Sequence, residues 1–219
     1  MKFVNDGFIY EGPPVSKSKK PALPLGPLAD LMTWWRRSKV RGMIIGGLAV
    51  ALLGRPRVTR DVDAVILLDE SRWAEFLDKG EQFSFFPRLP DILEFAKQNR
   101  VLLLVHENSG VEVDISLGGI LFEEEAINRA NKTKVGKINL PVSTPEDLIV
   151  MKAIAHREKD LFDIEGLFDV YPNLDLKHIR KWVDELAQVL EMPELYEDLD
   201  RLIVKRRGAG IKAKKMKPK

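Results

Sequence analysis

The sequence predicts an α+β fold: a mixed sheet core with flanking helices and a helical C-terminal region. Three observations carry this expectation. Short apolar runs of strand type gather before residue 144, helical periodicity alone follows from 145 to 204, and Gly-, Pro- and Asn-containing breaks punctuate the early runs. A chain of 219 residues is long enough for one sizeable domain, or for a core domain with a helical appendage. The expected segments are an extended N-terminal arm over 1–26, a core over 27–144, helices over 145–204, and a basic, disordered tail over 205–219.

Each element has its own signal. Residues 1–26 are rich in Pro, Ser, Lys and Gly and show little periodicity. From Pro27 to about Ser38, Leu28, Leu31, Met32 and Trp35 recur at helical spacing. Trp34 and Trp35 have two readings, packing in the core or stacking on nucleic-acid bases. MIIGG reads as a short buried strand entering a glycine turn, and LAVALLG as a helix stopped by Gly54. DVDAVILL is a second strand and ESRWAEFLDKG a helix, with another helix over 91–99. VLLLVHE and VEVDISL flank Asn-Ser-Gly, which is a hairpin signal. A helix is expected over 121–130, and KVGKINLPVS is read as a single strand. The remainder, PEDLIVMKAIAH, KDLFDIEGLFDVY, LKHIRKWVDELAQVL and PELYEDLDRLIV, reads as four helices. No internal repeat is visible.

Composition narrows the class. Hydrophobic content of 45% and charged content of 31% describe a globular protein, and no apolar run reaches the ~18 residues a membrane helix needs. The N-terminal MKFVNDGFIYEGPP lacks the apolar stretch of a secretory signal, and the chain has no cysteine, which together fit a cytoplasmic location. Net charge is +2, but from Lys205 onward there are eight Lys or Arg and no acid, leaving 27 basic against 33 acidic residues elsewhere. Such a block either solubilises or attracts nucleic acid by releasing counterions.

Chemistry concentrates in residues 46–63, GGLAVALLGRPRVTRDVD. Alternate residues of a strand share a face, so Asp61 and Asp63 present two carboxylates side by side. Like charges held that close call for a cation, and clustered oxygen ligands suit Mg²⁺ or Mn²⁺. Gly46 and Gly47 let backbone N–H groups approach a ligand closely, which suits phosphate. Thr59 shares the parity of Asp61 and Asp63, so its hydroxyl can reach phosphate or a metal-bound water. Arg57 and Arg60 crowd the same entrance, as ligands or as surface arginines. Asp114 stands in the otherwise apolar VEVDISL, where a buried carboxylate requires a metal or a basic partner. Glu112 falls on the same face. Lys152 lies among apolar neighbours of a helix and either snorkels to solvent or reaches a cleft. Asp160 and Asp163 follow on one helix face at i and i+3, placed to orient Lys152, to approach a nucleotide, or, for Asp160, to sit near the helix start. His106, His156 and His178 have no metal-ligand spacing. Neither a nucleophile elbow, nor a P-loop, nor a dinucleotide fingerprint is present.

Gly-Gly, Arg-x-Thr-x-Asp-x-Asp, a downstream strand aspartate and Lys-x7-Asp-x2-Asp together resemble the nucleotidyltransferase superfamily of the DNA polymerase β type. More narrowly, GGLAVALLGRPRVTRDVD with TPEDLIVMKAIAHREKDLFDI resembles the AbiEii-like, toxin-type nucleotidyltransferases over roughly residues 40–170. The resemblance implies a metal-dependent transfer of NMP from an NTP to a hydroxyl. It makes Asp61, Asp63 and Asp114 the metal ligands, with Asp114 helping to deprotonate the acceptor, and Lys152 a triphosphate-binding cation near Asp160. An RNA acceptor such as a tRNA 3′ end fits the basic tail, and the toxin-type resemblance implies a cognate antitoxin. The rival readings are a small-molecule or protein acceptor, or a non-catalytic nucleotide-binding regulator of the same fold.

Overall fold

The computed structural model describes residues 23–55 and 59–215, with 207–215 as backbone. Arg57, residues 1–22 of the expected arm and 216–219 of the tail therefore lie outside the described residues.

Helix α1 (Leu25–Ser38) buries Leu28, Leu31, Trp34 and Trp35 along one stripe and stops at Lys39, which adopts the left-handed conformation. Trp34 donates its indole N–H to the Phe76 carbonyl at 3.0 Å and stacks on Phe76 and Phe85 with centroids 4.1 and 5.1 Å away. Both tryptophans are core residues, so neither offers a base-stacking face. Strand β1 (Arg41–Ile44) follows, then α2 (Gly46–Leu53), ended at Gly54. Strand β2 (Val62–Leu67) leads to a 3-10 turn capped by Asp69 and then α3 (Trp73–Glu81).

Strand β3 (Phe85–Pro87), α4 (Ile92–Asn99), β4 (Val101–His106), β5 (Val111–Leu117) and α5 (Leu121–Arg129) come next. The β4–β5 hairpin turns through Asn108-Ser109-Gly110, with Gly110 at φ +69°. KVGKINLPVS is not one strand. Gly136 at φ +60° reverses the chain between β6 (Asn131–Val135) and β7 (Ile138–Val142), a conformation that glycine adopts without strain. Helices α6 (Pro145–Ala155), α7 (Glu158–Val170), α8 (Leu176–Val189) and α9 (Glu194–Lys215) complete the chain.

The sheet runs in the order β3-β4-β5-β2-β1-β7-β6. It is mixed: β2 pairs parallel with β5 and β1 parallel with β7, while the other neighbours are antiparallel. This is the α+β architecture that the sequence predicts. One apolar cluster joins the sheet (Ile44, Val62, Ile115) to the C-terminal helices (Ile149, Ile164, Val183, Leu199). Each such buried aliphatic side chain contributes roughly 1.5–3 kcal/mol on leaving water.

Helix α6 packs on α2, α7, α8 and α9, so the helical region closes over the end of the sheet where α2 begins. Its N-terminus is fixed by Thr144, which accepts the Asp147 N–H at 3.1 Å, and by buried Asp147, held by Arg129 and His178. Helix α9 continues to Lys215, through much of the segment for which the sequence predicts disorder. Lys and Arg are good helix formers, and two glycines interrupt that run without ending it. Lys205 pairs with Glu165 at 2.7 Å, and Arg206 donates to the Tyr171 carbonyl while its guanidinium lies over Phe168. These two cations fasten α9 to α7, so they are not part of a free tail. Among the described residues no helix is long and apolar enough to cross a membrane.

Candidate active site

The parallel pairing of β2 with β5 sets Asp63 opposite Asp114 in register. Next to Asp63 is the turn between β1 and α2. The Ile45 N–H donates to the Asp63 carbonyl at 2.9 Å, and the Gly47 N–H donates to Asp63 Oδ2 at 3.2 Å. Gly46 adopts φ +62°, and a Cβ there would fall 1.9 Å from Asp63 Oδ2. Glycine is thus required on two grounds, its dihedral and the carboxylate pressed against it.

A cleft of about 350 Å³ opens above this turn. The sheet side contributes Gly46, Gly47, Thr59, Asp61, Asp63 and Asp114, and the helical side Leu148, Met151, Lys152, Arg157 and Lys159. Asp61 immediately precedes β2 and is exposed, whereas Asp63 and Asp114 are half-buried. The Thr59 hydroxyl donates to the Asp61 carbonyl at 3.1 Å, which fixes the entry into the strand. Arg60 is exposed and does not line the cleft.

Burial pushes the Asp114 carboxyl upward from the usual carboxylate range; Arg88 opposes that push, and Asp63, Glu112 and Asp61 reinforce it. That mutual repulsion is the electrostatic signature of carboxylates gathered at one place. Their hard oxygen donors suit a divalent cation such as Mg²⁺ or Mn²⁺. Among the described residues, however, no three acidic or histidine side chains stand as a ready-made metal cage. Asp114 Oδ1 is held by Arg88, and Asp63 Oδ2 accepts the Gly47 N–H. Asp61 and Asp63 remain the pair facing the cleft, with Asp114 alongside.

Lys152 is 4% exposed, and its ammonium sits between two carboxylates, Asp160 at 2.6 Å and Asp163 at 3.0 Å. Asp160 is fully buried, and Arg157 also binds it, through Nε at 2.5 Å. Burial alone would raise the Asp160 pKa, but hydrogen bonds from Arg157 and Lys152 outweigh it and hold the group below its ordinary value. Asp160 both pairs with Lys152 and sits in the first turn of α7; it does not line the cleft. His106 bonds Ser109 and Asp30, His156 bonds Asp198, and His178 bonds Asp147, all away from the cleft lining.

Three cations escape a reading by motif. Arg88, just after β3, reaches across β4 and grips both Glu112 and Asp114 on β5. Nothing local marks it, because the contact is made between distant strands. Arg157 and Lys159 begin α7 and line the cleft, and Lys159 makes no ion pair among the described residues. Here a signal existed. Cations at a helix N-terminus oppose the macrodipole, and of the two in HREKD Asp160 answers Arg157 while Lys159 is left without an ion pair among the described residues.

Among solved structures the chain is similar to a lincomycin-bound lincosamide antibiotic adenylyltransferase, LnuA, at 20% identity, covering 66% of this chain and 96% of that one with TM-score 0.47. It is similar to an antigenic nucleotidyltransferase-like protein from Paracoccidioides brasiliensis at 18% identity, covering 79% and 90% with TM-score 0.48. It is also similar to the Thermotoga maritima CCA-adding enzyme complexed with tRNA, at 14% identity, covering 84% and 48% with TM-score 0.39. No curated protein matches the chain. A family profile described as nucleotidyltransferase of unknown function (DUF6036) matches residues 29–206, and the chain belongs to that family of nucleotidyltransferases.

Proposed function

We propose that this nucleotidyltransferase moves NMP from a nucleoside triphosphate to a hydroxyl of RNA, with a tRNA 3′ end as the acceptor of choice. The observation that carries NMP transfer is the in-register Asp63–Asp114 pair against the Gly46–Gly47 turn, while the RNA acceptor rests on the sequence resemblance and the basic C-terminal run. In this reading the N-terminal end of α2 receives the β- and γ-phosphates, because its dipole and the first-turn N–H groups other than that of Gly47, which Asp63 engages, favour anions. Lys152 and Arg157 add cationic support from the helical side of the cleft. Residues 27–144 then form the catalytic core, and 145–204 form a helical wall that closes over the nucleotide.

Asp61 and Asp63 would hold Mg²⁺ or Mn²⁺ with help from Asp114, and the ion when bound supplies charge neutralisation at phosphate and at the acceptor oxygen. The chain's own contribution is alignment. The acceptor oxygen attacks the α-phosphorus, the bond from that phosphorus to the β-phosphate oxygen breaks, and pyrophosphate departs. The hydroxyl proton passes toward Asp114 Oδ2, the oxygen that Arg88 leaves free. Positioning and charge neutralisation are enough for such a transfer, with no covalent enzyme intermediate. The toxin-type assignment, with its cognate antitoxin, rests on the sequence resemblance alone.

Incubation with α-labelled NTPs, Mg²⁺ and total tRNA tests the acceptor. Label in RNA that EDTA abolishes and fresh Mg²⁺ restores supports the proposal. Label that enters small hydroxyl compounds or protein while RNA stays bare overturns the RNA reading.

A further inference from the structure

Sequence alone offers Trp34 and Trp35 as candidate base-stacking rings, and both are buried. The exposed ring closest in sequence to the cleft lining is Phe162 on α7, 61% exposed and three residues after Lys159. Positions i and i+3 share a helix face, so the two side chains leave α7 on the same side. Above that face runs Arg55. Its stem crosses Gly166, where a Cβ would meet Arg55 Cδ at 3.6 Å. Its guanidinium pairs with Asp169 and lies 5.9 Å from the Phe162 ring centroid. Arg55 also heads the segment that leads from α2 to Asp61. A single exposed phenylalanine is ordinary. A phenylalanine on one helix face with two cations, one of them lining the cleft and the other six positions before Asp61 in the chain, is a different object.

We infer that Phe162, with Lys159 and Arg55, forms a stacking platform for an unpaired nucleotide of the acceptor RNA. The chemistry selects this ligand. A base stacks on an aromatic face whatever its identity, and adjacent cations take the phosphates on either side. The inference rests on the RNA reading above and adds the place where the strand lies: along the N-terminal half of α7, with its end directed to Asp61 and Asp63. Lys159 suits the phosphate role because no carboxylate engages it among the described residues, whereas Arg55 is steered over the ring by Asp169.

Fluorescence anisotropy with a single-stranded RNA octamer, together with steady-state transfer, provides the test on the full chain. Stacking is worth ~1–3 kcal/mol per base, so Phe162→Ala should weaken RNA binding roughly 5- to 140-fold. Phe162→Trp should bind at least as tightly as the native chain. Lys159→Ala should reduce the slope of log K against log salt by about 0.7, the value for one lost single-strand phosphate contact. Phe162→Ala should keep its melting temperature and its KM for NTP, since the ring is exposed. Unchanged RNA affinity in Phe162→Ala, with native binding intact, overturns the platform and leaves the RNA reading standing. A raised KM for NTP without loss of RNA affinity also overturns it, by giving the ring to the incoming nucleotide. Failure of the native chain to bind or label any RNA overturns both.

Discussion

Gly46→Ala isolates the contact on which the cleft is built. The substitution imposes two separable penalties. A non-glycine residue at φ +62° costs ~1–2 kcal/mol in the left-handed region. The new methyl would also lie 1.9 Å from Asp63 Oδ2, so the carboxylate must move and give up its bond from the Gly47 N–H. A hydrogen bond to a charged group is worth about 1.5–3 kcal/mol. The sum is roughly 2.5–5 kcal/mol, or about 5–20 °C in melting temperature for a domain of this size. Displacing Asp63 by about 1 Å should lower kcat roughly 100-fold. Gly110→Ala supplies the control, because φ is +69° there but a Cβ meets nothing within 4 Å. It bears the backbone penalty alone, so the difference between the two variants in urea denaturation measures the Asp63 part. Equal stability losses, with activity retained in Gly46→Ala, would refute the reasoning.

Three further outcomes are expected. Lys152→Met should destabilise the fold by about 3–5 kcal/mol in chemical denaturation, because it withdraws a cation from buried Asp160 and Asp163; native stability in this variant would contradict that dependence. Arg88→Gln should lower kcat by roughly 10- to 100-fold, as expected for loss of the group that orients Asp114 if that carboxylate serves the metal as proposed, with KM for NTP little changed in initial-rate assays. Burial pushes the Asp147 pKa up, but hydrogen bonds from Arg129, His178 and Thr144 hold it below the usual carboxylate range. Its folded pKa lies below the unfolded value of about 3.9, so its contribution is complete above that pH and is lost as pH falls through the folded value. Asp160 adds to the same acid loss, and Asp147→Asn should flatten only part of the stability curve below about pH 4 in acid-unfolding titrations.

What the sequence disclosed was local. Helix periodicity, the Asn-Ser-Gly hairpin and the Gly-Gly and Asp-x-Asp spacings are properties of neighbouring residues, and they located most of the sheet and one wall of the cleft. Strand β3 has three residues, too few for alternation to register. Strand β6, Asn-Lys-Thr-Lys-Val, is an edge strand exposed along most of its length, so it lacks an apolar face, and the turn at Gly136 was absorbed into one apparent run. The helical wall was harder still. Lys152 could be placed on a helix, but its burial between Asp160 and Asp163 depends on how α6 meets α7. Arg88 belongs to the site only through the sheet order, since two strand pairings intervene between it and Asp114.

The most direct test is pyrophosphate release from NTP by the native chain and by Asp63→Asn, with Mg²⁺ and an accepting RNA, at matched melting temperatures. Asp63 faces the cleft and abuts the glycine turn, so the amide should cut release at least 100-fold while the protein stays folded. Equal release by the two proteins would contradict the assignment of this cleft as the place where NMP is transferred.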